Sequence, residues 1–180
     1  MKSRVITIFG TAKADRTDPV LATAEQAGKA LAEKGFVIAN GGYGGTMLAA
    51  ARGAAQAGGK VIGVTCSAFK RSSANEYVTQ EIVTASLQER LAELIELGAG
   101  YIVLAGGTGT LLELAQVWEM KNKGFADADK PIIIVGPFWK KLVDMIAKID
   151  AKSVDCLQTV ETAKEAVEYL SGFFKNEGTI

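Results

Sequence analysis

The sequence predicts a doubly wound α/β fold, a mainly parallel sheet with helices on both faces. Three observations carry that prediction. Short Val/Ile-rich runs alternate along the chain with longer segments of helical period. The runs are continuously apolar instead of alternating in and out, which marks strands buried on both faces. Two of them lead straight into glycine-rich turns that continue as helices, the form of a parallel strand-to-helix unit.

The elements follow in order. "RVITIFG" (Arg4–Gly10) is a first strand. Asp18 to Lys34 is a helix, with Asp18 as N-cap, Pro19 at the first helical position and Gly35 beyond the end. "FVIANGG" is a second strand, "GTMLAAARGAAQAGG" a second helix and "KVIGVT" a third strand. The polar stretch from Cys66 to Thr79 lacks a period and reads as a loop, and "EIVTA" as a short strand. Ser86 to Leu97 is a helix, Tyr101–Leu104 a strand, Thr110 to Lys123 a helix and "PIIIVG" another strand. A helix around Phe138–Ile149, a last short strand within "SVDCLQTV" and a helix from Thr162 to Phe174 complete the chain. No Pro- or Ser-rich linker divides it, so residues 1–180 are expected to form one domain.

Composition narrows the chemistry. Lys+Arg and Asp+Glu both number 20, so there is no cationic excess to neutralise a nucleic-acid backbone, and no nucleic-acid partner is expected. Histidine is absent, which removes the usual general base and the commonest transition-metal ligand. Acid–base work must then come from Asp, Glu, Lys, Tyr or Cys. Cys66 and Cys156 form no C-x-x-C pair and read as reduced thiols. The apolar run at the N-terminus is too short for a signal peptide, and no segment reaches the length of a membrane span; the expectation is a cytoplasmic protein without a membrane partner.

The glycine turns are "NGGYGGTM" (Asn40–Met47) and "AGGTGTLLE" (Ala105–Glu113). In open α/β sheets ligands sit beyond the carboxyl ends of the strands, where both turns fall. Glycine lets backbone N–H groups approach a ligand closely, and a helix N-terminus adds unpaired donors and a positive dipole end. The bland alternative is that the glycines only permit sharp turns. Two such turns after buried strands favour an anion site. The NAD-type G-x-G-x-x-G is missing from "FGTAKADR", Asn40 stands where an acid would hold a ribose, and neither turn supplies G-K-[ST]. A monophosphate or a compact sugar phosphate matches the cradle better than a dinucleotide or a triphosphate.

Individual residues carry two readings each. Thr110 and Glu113 have the spacing of a capping box, with Thr110 as the cap and Glu113 reaching back to its N–H; Glu113 equally lies beside the anion site as a working carboxylate. Arg90 sits at the edge of a stripe formed by Leu87, Leu91, Leu94 and Ile95. It either lays its stem on the core and pairs with Glu93, or presents a guanidinium to a phosphate or carboxylate. Thr108 and Thr110 offer hydroxyls to a phosphate. Gly41, Gly42, Gly44 and Gly45 shape a second wall, and Thr11 is a weaker candidate for the far end of the cleft. Trp118 and Met120 read as core or as subunit contacts.

These residues resemble the LOG family, also labelled "lysine decarboxylase-like". That family's signature is P-G-G-x-G-T-x-x-E, preceded by a helix bearing an arginine. "AGGTGTLLE" matches at Gly106, Gly107, Gly109, Thr110 and Glu113, and Arg90 in "LQERLAEL" falls on the arginine. "GGYGGTMLAAARGAAQAGGKVIGVT" is similar to the family's first glycine segment. The likeness covers roughly the first four-fifths of the chain. Ala105 replaces the proline, Leu112 a first glutamate and Leu91 a lysine, the pattern of a divergent branch of the wider SLOG superfamily.

The resemblance implies a Rossmann-like homodimer and cleavage of the N-glycosidic bond of a nucleoside 5′-monophosphate such as AMP. It makes Glu113 and Arg90 the catalytic pair and Gly106, Gly107, Thr108, Gly109 and Thr110 the phosphate cradle. Such cleavage develops positive charge on the sugar, which a carboxylate stabilises; it requires neither a metal nor a cofactor. Other branches of the superfamily imply a runner-up, a non-catalytic nucleotide sensor or carrier of molybdenum cofactor.

Overall fold

The computed structural model describes residues 4–69, 73–125 and 129–177; part of the loop read between Cys66 and Thr79 therefore lies outside the described residues. Seven strands form one sheet in the order β4-β3-β2-β1-β5-β6-β7. They are β1 (Val5–Phe9), β2 (Val37–Asn40), β3 (Val61–Cys66), β4 (Gln80–Thr84), β5 (Gly100–Val103), β6 (Ile132–Val135) and β7 (Leu157–Val160). Every neighbouring pair is parallel. The described residues form the helices α1 (Pro19–Glu33), α2 (Thr46–Gln56), α3 (Leu87–Leu97), α4 (Thr108–Asn122), α5 (Lys140–Ala147) and α6 (Ala163–Glu177).

The sheet is covered on both sides because its strands are apolar on both. Ile6, Ile8, Ile38, Val61, Ile102 and Ile133 pack with α1, α2 and α6. Residues one step along the same strands, including Phe9, Ala39, Ile62, Tyr101, Val103 and Ile132, pack with Leu94 and Ile95 of α3 and Leu114 and Val117 of α4. This is the period-2 consequence of strands whose two faces both meet helices. The strand order runs outward in both directions from β1, so the chain changes faces between β1 and β5. That switch opens a crevice at the carboxyl edge of the sheet, where ligands bind in folds of this kind.

Local signals place the elements. Asp18 Oδ1 accepts from the N–H of Val20 at 3.0 Å and Pro19 opens α1, as read from the sequence. Ser86 Oγ accepts from Glu89 N at 3.2 Å at the start of α3. The short strand read within "SVDCLQTV" forms as Leu157–Val160, preceded by a 3₁₀ turn at Ala151–Cys156. One reading of α3 changes. Leu87 is exposed and drops out of the buried stripe of α3, and Arg90 takes a place in it with Leu94 and Ile95. Of the two readings of Trp118, core or subunit contact, the core one holds: it is buried, its indole N–H donating to the carbonyl of Ser153 at 2.7 Å. The exposed apolar side chains nearby are instead Leu111 and Leu112 of α4, with Met145 and Ile149 in and after α5. No described helix is long and apolar enough to cross a membrane.

Candidate functional site

Both glycine turns open at the carboxyl edge of the sheet, because β2 and β5 run parallel to the β1 strand between them. The helices that follow differ from α1 and α3 at their starts. Neither α2 nor α4 has a side-chain cap; their N-caps are Gly45 and Gly107. The first N–H groups of a helix have no partner within it, so an uncapped start at the crevice presents donors and a positive dipole end to whatever enters.

The α4 turn is tighter than its sequence suggests. The helix begins at Thr108, and Leu111 N donates to the Gly107 carbonyl at 2.9 Å. Thr110 therefore lies inside the first turn and caps nothing, which removes the capping-box reading of Thr110 and Glu113. The physical reason is that Gly106 and Gly107 bring the chain into helical geometry two residues early. Thr110 Oγ1 is buried and has no hydrogen-bond partner, which is rare for a buried hydroxyl. It packs against Gly106, where any Cβ would collide with it. Gly107, Thr108 and Gly109 are exposed, and a Cβ on either glycine would meet open space. No steric contact in the fold demands those two glycines, and the space over them is open to a ligand.

Glu113 and Arg90 meet across the crevice. Arg90 comes from α3 and is 8% exposed; its Nε donates to the Val64 carbonyl at 2.8 Å. Its Nη1 stands 3.9 Å from Glu113 Oε1 of α4, and Nη2 abuts Gly41 of the other glycine turn. A single guanidinium thus joins both turns, and the alternative pairing with Glu93 does not form. Burial raises the Glu113 carboxyl from 4.5 to about 7, because desolvation penalises the charged form more than the long contact with Arg90 restores it. A carboxyl poised near neutral pH in a cleft is the state that acid–base or charge-stabilising work requires.

The second wall is held by groups that sequence reasoning did not assign. Asn40, singled out there only for not being an acid, braces its own turn: Oδ1 accepts from Gly42 N at 2.8 Å and Nδ2 donates to the Met47 carbonyl at 3.1 Å. Asn75 donates through Nδ2 to the carbonyls of Gly42 and Tyr43, at 3.0 and 2.9 Å. Gly45 has φ +62 and lies so close to the Thr11 carbonyl that only glycine fits. Thr11 accepts from Thr46 N through that carbonyl at 2.9 Å, and its hydroxyl is engaged in a local turn with Lys13. Gly44 is half-buried in the bend between them. The signal for Asn40 was present as an Asn-Gly pair, whereas Asn75 lies in an aperiodic loop and gave none.

Several hollows lie elsewhere among the described residues. One of about 280 Å³ between α4, α5 and the 3₁₀ turn is lined by Trp118, Leu142 and Ile146 and is apolar. Another of about 680 Å³, between the loop after β1 and α2, touches the glycine turns only at Gly45. Neither contains the buried carboxylate–guanidinium pair, so chemistry rather than volume locates the site. Among the described residues there is no group of three or more His, Cys, Asp or Glu that could hold a metal ion.

Fold and site together define a Rossmann-like protein with an uncapped helix start beside a buried Glu–Arg pair. Comparison with known proteins gives the family. A model described as "Possible lysine decarboxylase" matches residues 47–170, and the chain belongs to this family, the LOG family. An uncharacterised protein of Archaeoglobus fulgidus is 28% identical over 94% of this chain and 95% of its own. A cytokinin riboside 5′-monophosphate phosphoribohydrolase of Mycobacterium tuberculosis is 34% identical over 66% of this chain; the match spans 64% of that relative's length. Among solved structures, the molybdenum cofactor binding protein of Rippkaea orientalis superimposes with a TM-score of 0.79 at 23% identity, covering 97% of this chain and 99% of that one. The molybdenum cofactor carrier protein of Chlamydomonas reinhardtii gives 0.73 at 23% identity over the same shares. At such identities the structural likeness speaks for the fold.

Proposed function

We propose that the protein is a nucleoside 5′-monophosphate phosphoribohydrolase, converting nucleotide and water to free base and ribose 5-phosphate. The observation that carries this reading is the Arg90–Glu113 pair, buried beside the uncapped start of α4. The phosphate sits on the open N–H groups from Gly107 to Thr110, with the orphaned Thr110 hydroxyl as a further donor. Anchoring it there places the sugar over Glu113, so that remote binding energy positions the reacting bond. As the C–N bond breaks, its electron pair leaves with the base and positive charge builds on the ribose. The Glu113 carboxylate stabilises that charge and orients the water whose hydroxyl completes the sugar, while the water's other proton ends on the departing base. Arg90 holds the carboxylate in place and donates to substrate oxygens from its Nη edge.

A second reading is that of a carrier for a phosphate-bearing cofactor such as molybdenum cofactor. It is favoured by the near-complete coverage of the carrier structures and by Ala105, Leu91 and Leu112 in place of the family's proline, lysine and glutamate. Incubation with a panel of nucleoside monophosphates, read as free base released, separates the two: release establishes the enzyme, and binding without release establishes the carrier. The protein acts as a homodimer in either case, with the exposed apolar side chains of α4 and α5 as the contact.

A further inference from the structure

Arg90 is held by more than its ion pair. Its guanidinium carbon lies 5.7 Å from the ring centre of Tyr43 and 5.8 Å from that of Phe69. The rings are 6.0 Å apart and tilted by 45°, so the three groups form a triangle with the cation over both ring faces. Tyr43 is itself fixed, because its hydroxyl accepts from Cys66 N at 2.8 Å. Phe69 is different: it lies on the loop after β3, and 37% of it is exposed. Its ring packs on Tyr43, and the attraction of a ring face for a cation adds a reason for it to sit over a buried arginine.

We propose that Phe69 and Tyr43 are positioning residues, which lock the plane of the Arg90 guanidinium so that its Nη edge faces Glu113 and the ligand. The Nε contact to Val64 fixes only one corner of the guanidinium and leaves rotation about the side chain's last bonds open. The two rings block that rotation and keep water off the face they cover. Gly41 completes the slot from the side of Nη2, where any side chain would displace the group. The consequence is that the strength of the Arg90–Glu113 contact is set by the loop carrying Phe69 as well as by the two helices.

The kinetic arm of the test rests on the phosphoribohydrolase reading, whereas the titration arm does not, so the two can fail separately. In the free protein, the Glu113 carboxyl is followed by carbon NMR of glutamate-labelled samples, assigned by difference from Glu113→Gln. Phe69→Leu, which keeps an apolar side chain without the ring face, is expected to raise the Glu113 pKa toward the value in Arg90→Ala. Phe69→Tyr is expected to restore it. In the base-release assay Phe69→Leu is expected to lower kcat/KM by about three- to tenfold, the scale of one partly desolvated cation–ring contact, with Phe69→Tyr again restoring it. Phe69→Met serves as a second ring-free variant should the leucine variant fail to fold. Ring-free variants in which Glu113 titrates as in the wild type overturn the proposal, as does equal loss in Phe69→Leu and Phe69→Tyr.

Discussion

Replacing Glu113 by glutamine tests the electrostatics of the site independently of any substrate. The folded protein raises this carboxyl from 4.5 to about 7. A group whose pKa is higher folded than unfolded contributes stability that is complete below the unfolded value and is lost as pH rises through the folded one. Stability should therefore fall between about pH 4.5 and 7 and level off above. At 1.36 kcal/mol per unit the shift corresponds to about 3 kcal/mol, which the remaining water contact of the side chain reduces to about 2–3 kcal/mol. For a chain of this length each kcal/mol moves Tm by about 2–4 °C. The wild type should thus lose about 4–12 °C relative to Glu113→Gln as pH is raised from 4.5 to 8, because the neutral amide has no such descent. Thermal unfolding of both proteins across that range reads the difference directly. A difference that stays flat would refute the placement of Glu113 as a carboxyl whose burial outweighs its long contact with Arg90.

Three further outcomes follow from the geometry. Gly41→Ala drives a methyl group into Nη2 of Arg90 and Sδ of Met47, and because the guanidinium is held by Val64 and two rings, Tm should fall and nucleotide affinity by calorimetry should drop by about tenfold or more. Thr110→Val keeps the shape and removes a hydroxyl that has no partner; unfolding free energy should be unchanged or higher by about 1–2 kcal/mol, while affinity for AMP falls. Gly107→Ala and Gly109→Ala meet open space and should leave Tm within about 2 °C of the wild type, yet weaken binding of phosphate-bearing ligands far more than of the free nucleoside.

Much of this was legible in the sequence, and for physical reasons. The continuous Val/Ile runs announced strands covered on both faces, and Asp18-Pro19 announced the start of α1, because both depend on neighbours close along the chain. The Gly106–Glu113 motif was legible as a strand-to-helix turn, but its helix starts at Thr108, since the conformation of two glycines cannot be read from their neighbours. The partner of Arg90 was illegible for a different reason. On the isolated helix α3 Glu93 is the nearest acid, and only the packing of α3 and α4 on the same face of the sheet brings Glu113 to it. Tyr43, Phe69 and Asn75 converge from separate segments, and no periodicity links them.

The central claim is that Glu113 acts on the sugar of a bound nucleoside monophosphate, and the measurement closest to it is adenine released from AMP by the wild type and by Glu113→Gln, with AMP binding measured on both. The expected result is measurable release by the wild type, a fall of roughly a hundredfold or more in turnover for the variant, and affinity within a few-fold, as when a single preorganised electrostatic group is lost. Full activity in Glu113→Gln, or a wild type that binds AMP and releases no base, would contradict it.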